Sequence, residues 1–428
     1  MTDNVMSGGA TLLANRPQVR SDLLISRELG RGPDRVYLVK IRGGKAFEVA
    51  PKERFLLSRL DGQRSLSEIG EEYAVRFGRR MGPAQWSQLL WLLHRRDLLQ
   101  PAGGSGAAEA DAGATAGRAV APSRALGRLA AAFGWVFSVP SGAVIGVGLL
   151  AMYGSLAAAA PGLWRAAAPA FSDWRYVVGI AAISYLSAML HELAHGVAAT
   201  HFGCRVVQLN LWSFSCRVED YQYLPARGQQ VTIAAAGGVS NSLFIVPFVL
   251  AWQATPADSA GHRLAAAAVV VGVVQSLVNF VPVAPLDGYK MLSHHVGMVA
   301  LAEESRRYLW SRPRYWLTRR GPRYPPRARL VLGLYGMAWH VVIAGAGAAI
   351  AYGVGHLLRP HLGQAGYAAS TAAVVLTITM WLASRPQRPV RPHQPSKPRT
   401  TNEPSERQGD GNRRRTGRGG HGADQVLR

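Results

Sequence analysis

Six stretches of roughly twenty to thirty residues run almost free of charge: about Phe133 to Ala160, Tyr176 to His201, Val231 to Ala254, Leu264 to Val283, Leu330 to Leu357 and Ala365 to Ala383. At about 1.5 Å of rise per residue, an α-helix of that length crosses a hydrocarbon layer about 30 Å thick. Lipid offers a peptide group no hydrogen-bond partner, so the segments must close their own backbone bonds as helices. These blocks predict a polytopic α-helical membrane protein of about six spans. A composition 48% hydrophobic and 17% charged fits that class better than a soluble enzyme.

The formal net charge of +23 suggests nucleic acid until the basic residues are located. Arg205, Arg217 and Arg227 follow the second block, and Lys290, Arg306, Arg307, Arg312, Arg314, Arg319, Arg320, Arg323, Arg327 and Arg329 follow the fourth. Many more lie beyond Arg385, whereas the alternate loops carry only Arg165, Arg175, Arg263 and Arg359. By the positive-inside rule this predicts a multi-pass cell-membrane protein with both termini and the end of the second span in the cytoplasm. Membrane lipid is then an expected partner, and no specific nucleic-acid partner is expected. Met1 to Arg20 has no apolar h-region, so no cleaved signal peptide is expected. Cys204 and Cys216 form no C-x-x-C pair and read as reduced thiols.

Composition divides the chain into five regions. Residues 1–20 read as disordered and 21–101 as a folded α+β module. Residues 102–124, rich in Ala and Gly, read as a flexible linker, 125–384 as the membrane domain, and 385–428 as a disordered basic tail. In the module, Arg35 to Arg42 and Lys45 to Ala50 flank Gly43-Gly44 as a β-hairpin. Three helices are expected after it: Pro51 to Leu60, a second from Ser65, capped with Glu68, to about Gly78, and a third carrying Trp86, Leu89, Leu90, Leu92 and Leu93.

The hairpin and three short helices, with Asp61-Gly62, Ser65-Leu-Ser-Glu-Ile69 and Arg96-Asp97-Leu98-Leu99, resemble the winged-helix RiPP recognition element, related to the peptide chaperone of pyrroloquinoline quinone biosynthesis. The resemblance implies capture of a leader peptide as an added strand against the hairpin edge, with Phe47, Val49, Trp86, Leu90 and Leu93 as candidate contacts. The same residues also suit the module's own core. A winged helix that binds DNA is the competing interpretation.

Within the second apolar block, Leu190-His191-Glu192-Leu193-Ala194-His195-Gly196 contains H-E-x-x-H. On a helix, positions i and i+4 share a face, so the two imidazoles can hold one Zn²⁺ while Glu192 serves as general base. A third protein ligand is needed if a fourth position is to stay open for water. His201 has metzincin-like spacing, but Ala198 stands where that motif turns on glycine. Glu219 lies in a polar loop. Asp287, at the end of the fourth block, is the better candidate, because an ionisable group there is costly without a partner.

Asn279-Phe-Val-Pro282-Val-Ala-Pro285-Leu286-Asp287-Gly288 paired with the upstream H-E-x-x-H resembles the site-2 protease family of membrane zinc metallopeptidases. The resemblance covers roughly Phe133 to Val299. It implies one Zn²⁺ per chain held by His191, His195 and Asp287, Glu192 as the catalytic base, and a peptide or protein substrate. Gly237-Gly238-Val239-Ser240-Asn241 resembles the family's G-P-x-x-N element with Gly238 in place of proline, which leaves a local bend in doubt. Tyr289 stands where many members carry a second glycine. Asn241 and Asn279 are candidates to position substrate, support the site or bond between helices.

Residues 204–230, alternating through Val206 to Trp212, are expected either to form a strand pair that clamps an extended substrate or to be a plain loop. His294, His295 and His340 are expected to be structural. The leading functional expectation is leader removal from a ribosomally made, modified peptide at the cytoplasmic face. Alternatives are regulated release of a membrane-anchored regulator, a non-catalytic peptide-export component with structural zinc, and a tethered DNA-binding regulator.

Overall fold

The computed structural model describes residues 11–100, 124–318 and 321–384. The expected linker and tail, and the first ten residues, lie outside the described residues. By compactness the chain divides between Ala346 and Gly347.

The first unit begins with a small α+β module. Strands β1 (Leu23–Ile25) and β2 (Leu29–Arg31) run antiparallel along one edge of β3 (Asp34–Ile41), and β4 (Phe47–Val49) pairs with its other edge. The expected hairpin is therefore β3–β4. The two short strands before it were not expected from a stretch whose apolar residues are interrupted by Ser26, Arg27 and Glu28. Helices α1 (Pro51–Leu57), α2 (Leu66–Phe77) and α3 (Pro83–Arg95) follow. Ser65 and Glu68 close the anticipated capping box on α2, satisfying amide groups that a helix start leaves unpaired. Helix α1 stops at Leu57, short of the expected Leu60.

Val39, Val49, Leu60, Leu66, Ile69, Trp86, Leu93 and Leu98 make the module's core. Residues 11–20 correct the expectation of disorder where they are described. Residues 11–13 form a helical turn, Leu12 and Leu13 pack on this core, and Gln18 and Val19 bridge to Asp61 and Leu99.

Beyond the linker, α4 (Arg124–Phe133) leads to α5 (Val139–Ala158), α6 (Ala160–Ala167) and α7 (Trp174–His201). The first expected span is thus interrupted near its start: a 3₁₀ turn covers Gly134–Phe137, and Ser138 caps α5 ahead of Pro140. A hairpin of β5 (Arg205–Asn210) and β6 (Ser215–Glu219) follows α7. Then come α8 (Arg227–Ala254), α9 (Ala260–Phe280), α10 (Asp287–Val296), α11 (Leu301–Thr318) and α12 (Pro326–Leu362). Helix α9 ends at Phe280, before the expected Val283, where Pro282 and Pro285 forbid continuation. Helix α8 is continuous through Gly237-Gly238.

Five described helices are long and apolar enough to cross a membrane: α5, α7, α8, α9 and Pro326–His356 of α12. The sixth expected span coincides with α13 (Ala365–Ser384), whose apolar stretch Ala365–Met380 is shorter. The second unit comprises the end of α12 and α13, joined by a Ser370 hydroxyl that donates to the Ala351 carbonyl at 2.7 Å.

Candidate metal centre

Residues 191 and 195 lie one turn apart on α7, both 9% exposed. Their Nε2 atoms are 3.2 Å apart, and Asp287 Oδ2 stands 3.0 Å from each. Donor atoms bound about 2.0–2.1 Å from one tetrahedrally held ion are separated by roughly 3.3 Å, so this nearly equilateral N, N, O triangle can hold a metal ion. Asp287 is delivered by a backbone device. Gly288 sits so tightly on the Phe280 and Val281 carbonyls that no β-carbon fits, and this close approach tucks the first turn of α10 under the end of α9.

The surroundings fix how the ligands present themselves. His195 Nδ1 lies 2.7 Å from the Ile233 carbonyl, which accepts a proton only if Nδ1 carries one, leaving the Nε2 lone pair for a cation. His191 Nδ1 is 3.2 Å from the side-chain amide of Asn241, whose other end meets Ser187 Oγ at 3.1 Å. An Nε2-ligating His191 needs an acceptor at Nδ1. Asn241 Nδ2 faces the ring and Ser187 Oγ donates to Asn241 Oδ1; with the amide turned over, an exchange that only such partners decide, its oxygen would accept from His191 Nδ1. Asn241 therefore supports a ligand.

Asn279 does not reach the centre: its side chain donates to Gln275 O at 3.0 Å, one turn back on its own helix. His201 also lies elsewhere, packed on Phe137 and Phe202. Glu219 pairs with Lys40 at 3.7 Å.

Lys290, one turn along α10, donates to Asp287 Oδ1 at 2.8 Å. Burial alone would raise the Asp287 pKa, but the two imidazoles and Lys290 hold it well below the usual carboxylate range. Glu192 is partly buried on the same helix as the histidines. Its charge reaches Lys290 and the Cys216 thiol, which is pushed up to about 12 by burial first and by Glu192 second.

Two features of the centre escaped the sequence reading. A β-carbon on Gly237 would fall 2.5 Å from His191 Cε1 and from His195 Nε2, so this glycine is the open wall through which α8 approaches both rings. Lys290 carried no spacing signal of its own beyond lying three residues after Asp287.

The β5–β6 hairpin forms, as one of the two expectations had it, and runs back along α7. Tyr185 OH donates to the Trp212 carbonyl at 3.2 Å, and its ring meets Phe214 edge-on at 4.8 Å. Cys204 and Cys216 are free thiols. His340 Nδ1 pairs with Gly336 O at 2.6 Å, a bond within its own helix.

The module's candidate peptide contacts need correction. Trp86 is 0%, Leu93 4% and Val49 5% exposed, so these three are core residues with no face left for a peptide. Phe47 and Leu90 are partly buried, with the Arg96 guanidinium 4.6 Å above the Phe47 ring. One sheet edge is also taken: Gly30 N donates to Gly297 O at 2.8 Å and Val299 N to Gly30 O at 2.9 Å, so residues 297–299 lie alongside β2.

No protein-family model matches this chain, and neither a curated protein nor a solved structure is detectably similar to it.

Proposed function

We propose that the chain is a membrane-embedded zinc endopeptidase of the site-2 protease type that matures a ribosomally made peptide by removing its leader at the cytoplasmic face. The observation that carries this reading is the buried triangle of His191, His195 and Asp287 with a carboxylate, Glu192, on the same helix. Two imidazoles and one carboxylate suit Zn²⁺, and one ion per chain accounts for all three ligands. When bound, zinc supplies Lewis acidity toward the scissile carbonyl and a nucleophilic water at neutral pH.

The chain's own residues do the rest. Glu192 takes a proton from the attacking water and delivers it to the leaving amine, so no covalent acyl-enzyme is required. The Ile233 carbonyl keeps His195 in the ligating tautomer, and Asn241, with its amide oxygen turned to the ring, does the same for His191. Lys290 holds the second oxygen of Asp287. The β5–β6 hairpin beside α7 offers extended backbone against which a locally unwound substrate can lie.

In this reading the module recognises the leader. With residues 297–299 on β2, the outer edge of β4, which carries Phe47, is the edge offered to an added peptide strand. The reading keeps six spans, α13 included, with both termini in the cytoplasm. Regulated cleavage of a membrane-anchored regulator would use the same centre and differ in substrate.

Glu192→Gln tests the enzymatic reading. The purified variant is expected to keep one zinc per chain by elemental analysis and to lose about 10²–10⁴-fold in cleavage of a precursor peptide encoded beside it. Undiminished processing would exclude both peptidase versions.

A further inference from the structure

The N-terminal module does more than hang on a linker: Arg27, between β1 and β2, reaches into the membrane domain. Its Nη2 donates to Gln230 Oε1 at 2.9 Å and to the His294 carbonyl at 2.8 Å. Gln230, only 1% exposed, turns its amide nitrogen to the carbonyls of Gln222 and Leu224 at 3.1 and 3.2 Å. One guanidinium group thus joins the start of α8, the loop behind β6 and the end of α10.

Those are the elements that hold the metal site. Gln230, Ile233, Gly237 and Asn241 occupy one face of α8, spaced three or four residues apart. Ile233 fixes the tautomer of His195, Gly237 admits both rings and Asn241 holds His191. Arg27 grips the first position of that stripe. At α10 it caps the opposite end from Asp287: the last-turn carbonyls of a helix lack intrahelical donors, and Arg27 and Arg227 supply them to His294 and His295.

The contact is not built for the module's own stability. Arg27 Nε and Nη1 are buried and find no hydrogen-bond acceptor among the described residues, and Arg227 is a like charge beside it. An under-satisfied buried guanidinium is costly. The alignment of α8 with α10 is what the arrangement secures.

We propose that Arg27 is a positioning residue for the metal centre, so that docking of the N-terminal module sets how tightly the site holds its ion. The inference rests on the zinc reading above. It makes the module part of the metal site's scaffold as well as a recognition domain, and gives an occupant of the module a route to the ligands.

Zn²⁺ affinity is measured on the full-length protein in detergent by competition with a chromophoric chelator, and Co²⁺ absorption reports ligand geometry. Arg27→Ala is expected to weaken Zn²⁺ binding about 10-fold and alter the Co²⁺ ligand-field bands, at the low end of the losses seen when groups supporting metal ligands are removed. Arg27→Lys, which keeps the charge and one donor, should recover part of the loss. Arg59→Ala is the control. It removes the 2.9 Å ion pair to Glu72 inside the module without touching the contacts between the module and α8, α10 or the loop behind β6, and should leave affinity within twofold.

Unchanged affinity in Arg27→Ala, or an equal loss in Arg59→Ala, overturns the inference. If Arg27→Ala does not fold, Arg27→Lys decides, and a change below twofold overturns the inference. A wild-type chain that binds no Zn²⁺ overturns the zinc reading itself, a separate outcome.

Discussion

At the scale of single residues, Gly237 makes the sharpest forecast. Exchanging glycine for alanine inside a helix ordinarily stabilises it by about 1 kcal/mol. Here the new methyl would sit 2.5 Å from atoms of both imidazoles. Gly237→Ala should therefore abolish stoichiometric metal binding while leaving the helical circular dichroism of the metal-free protein unchanged, a separation that plain misfolding would not produce. Lys290→Met should leave Asp287 Oδ1 without its 2.8 Å donor and weaken zinc about 10-fold in chelator competition. The histidines and Asp287 were legible in the sequence because H-E-x-x-H places two ligands on one helix face by local geometry alone, and an acid at the end of an apolar block demands a partner. Gly237 was not, because a glycine's part here depends on what another helix brings against it. Asn279, a candidate for substrate positioning, site support or interhelical bonding, donates back along α9 to Gln275 O, a direction that its motif position does not announce.

At the scale of elements, periodicity located the helices well and the short strands poorly. Apolar spans and the Ser65–Glu68 box announce themselves within a dozen residues, whereas β1 and β2 are three residues each and exist because β3 offers them an edge. Of the α3 residues that the resemblance offered as peptide contacts, Trp86 and Leu93 lie on the face turned inward. Trp86 and Trp91 therefore separate the two roles of that helix. Trp86 is fully enclosed, and its replacement by alanine should cost about 3–5 kcal/mol, enough to unfold the module as seen by loss of amide protection across β3 and α2. Trp91 is 57% exposed with Arg95 over its ring at 5.1 Å, and Trp91→Ala should change stability by no more than about 0.5 kcal/mol. If instead Trp91→Ala unfolds the module and Trp86→Ala does not, the burial pattern given for α3 is wrong.

For the molecule as a whole, the decisive point is that the N-terminal module and the candidate metal site meet at one seam, and that seam contains a titratable group. His294, on α10, packs edge-on against Tyr221 at 5.1 Å and faces the cations Arg27 and Lys290. Burial, then those two charges, lower its pKa from 6.5 to about 4. The sign follows from linkage. Above about pH 6.5 the imidazole is neutral in both docked and undocked chains and contributes nothing to the difference. Arg27 is the cation of this set that leaves with the module, so the undocked chain binds the proton at a higher pH than the docked one and docking weakens as pH falls below about 6.5. Hydrogen-exchange protection of the Gly30 and Val299 amides, which bridge the seam, should therefore decline through that window after correction for intrinsic exchange. His294→Gln, which cannot titrate, should flatten the decline relative to the wild-type chain measured equally free of metal. Parallel profiles in the two proteins would mean that another group governs the seam. A flattened profile would make His294 the group through which acidification loosens the seam where Arg27 meets Gln230.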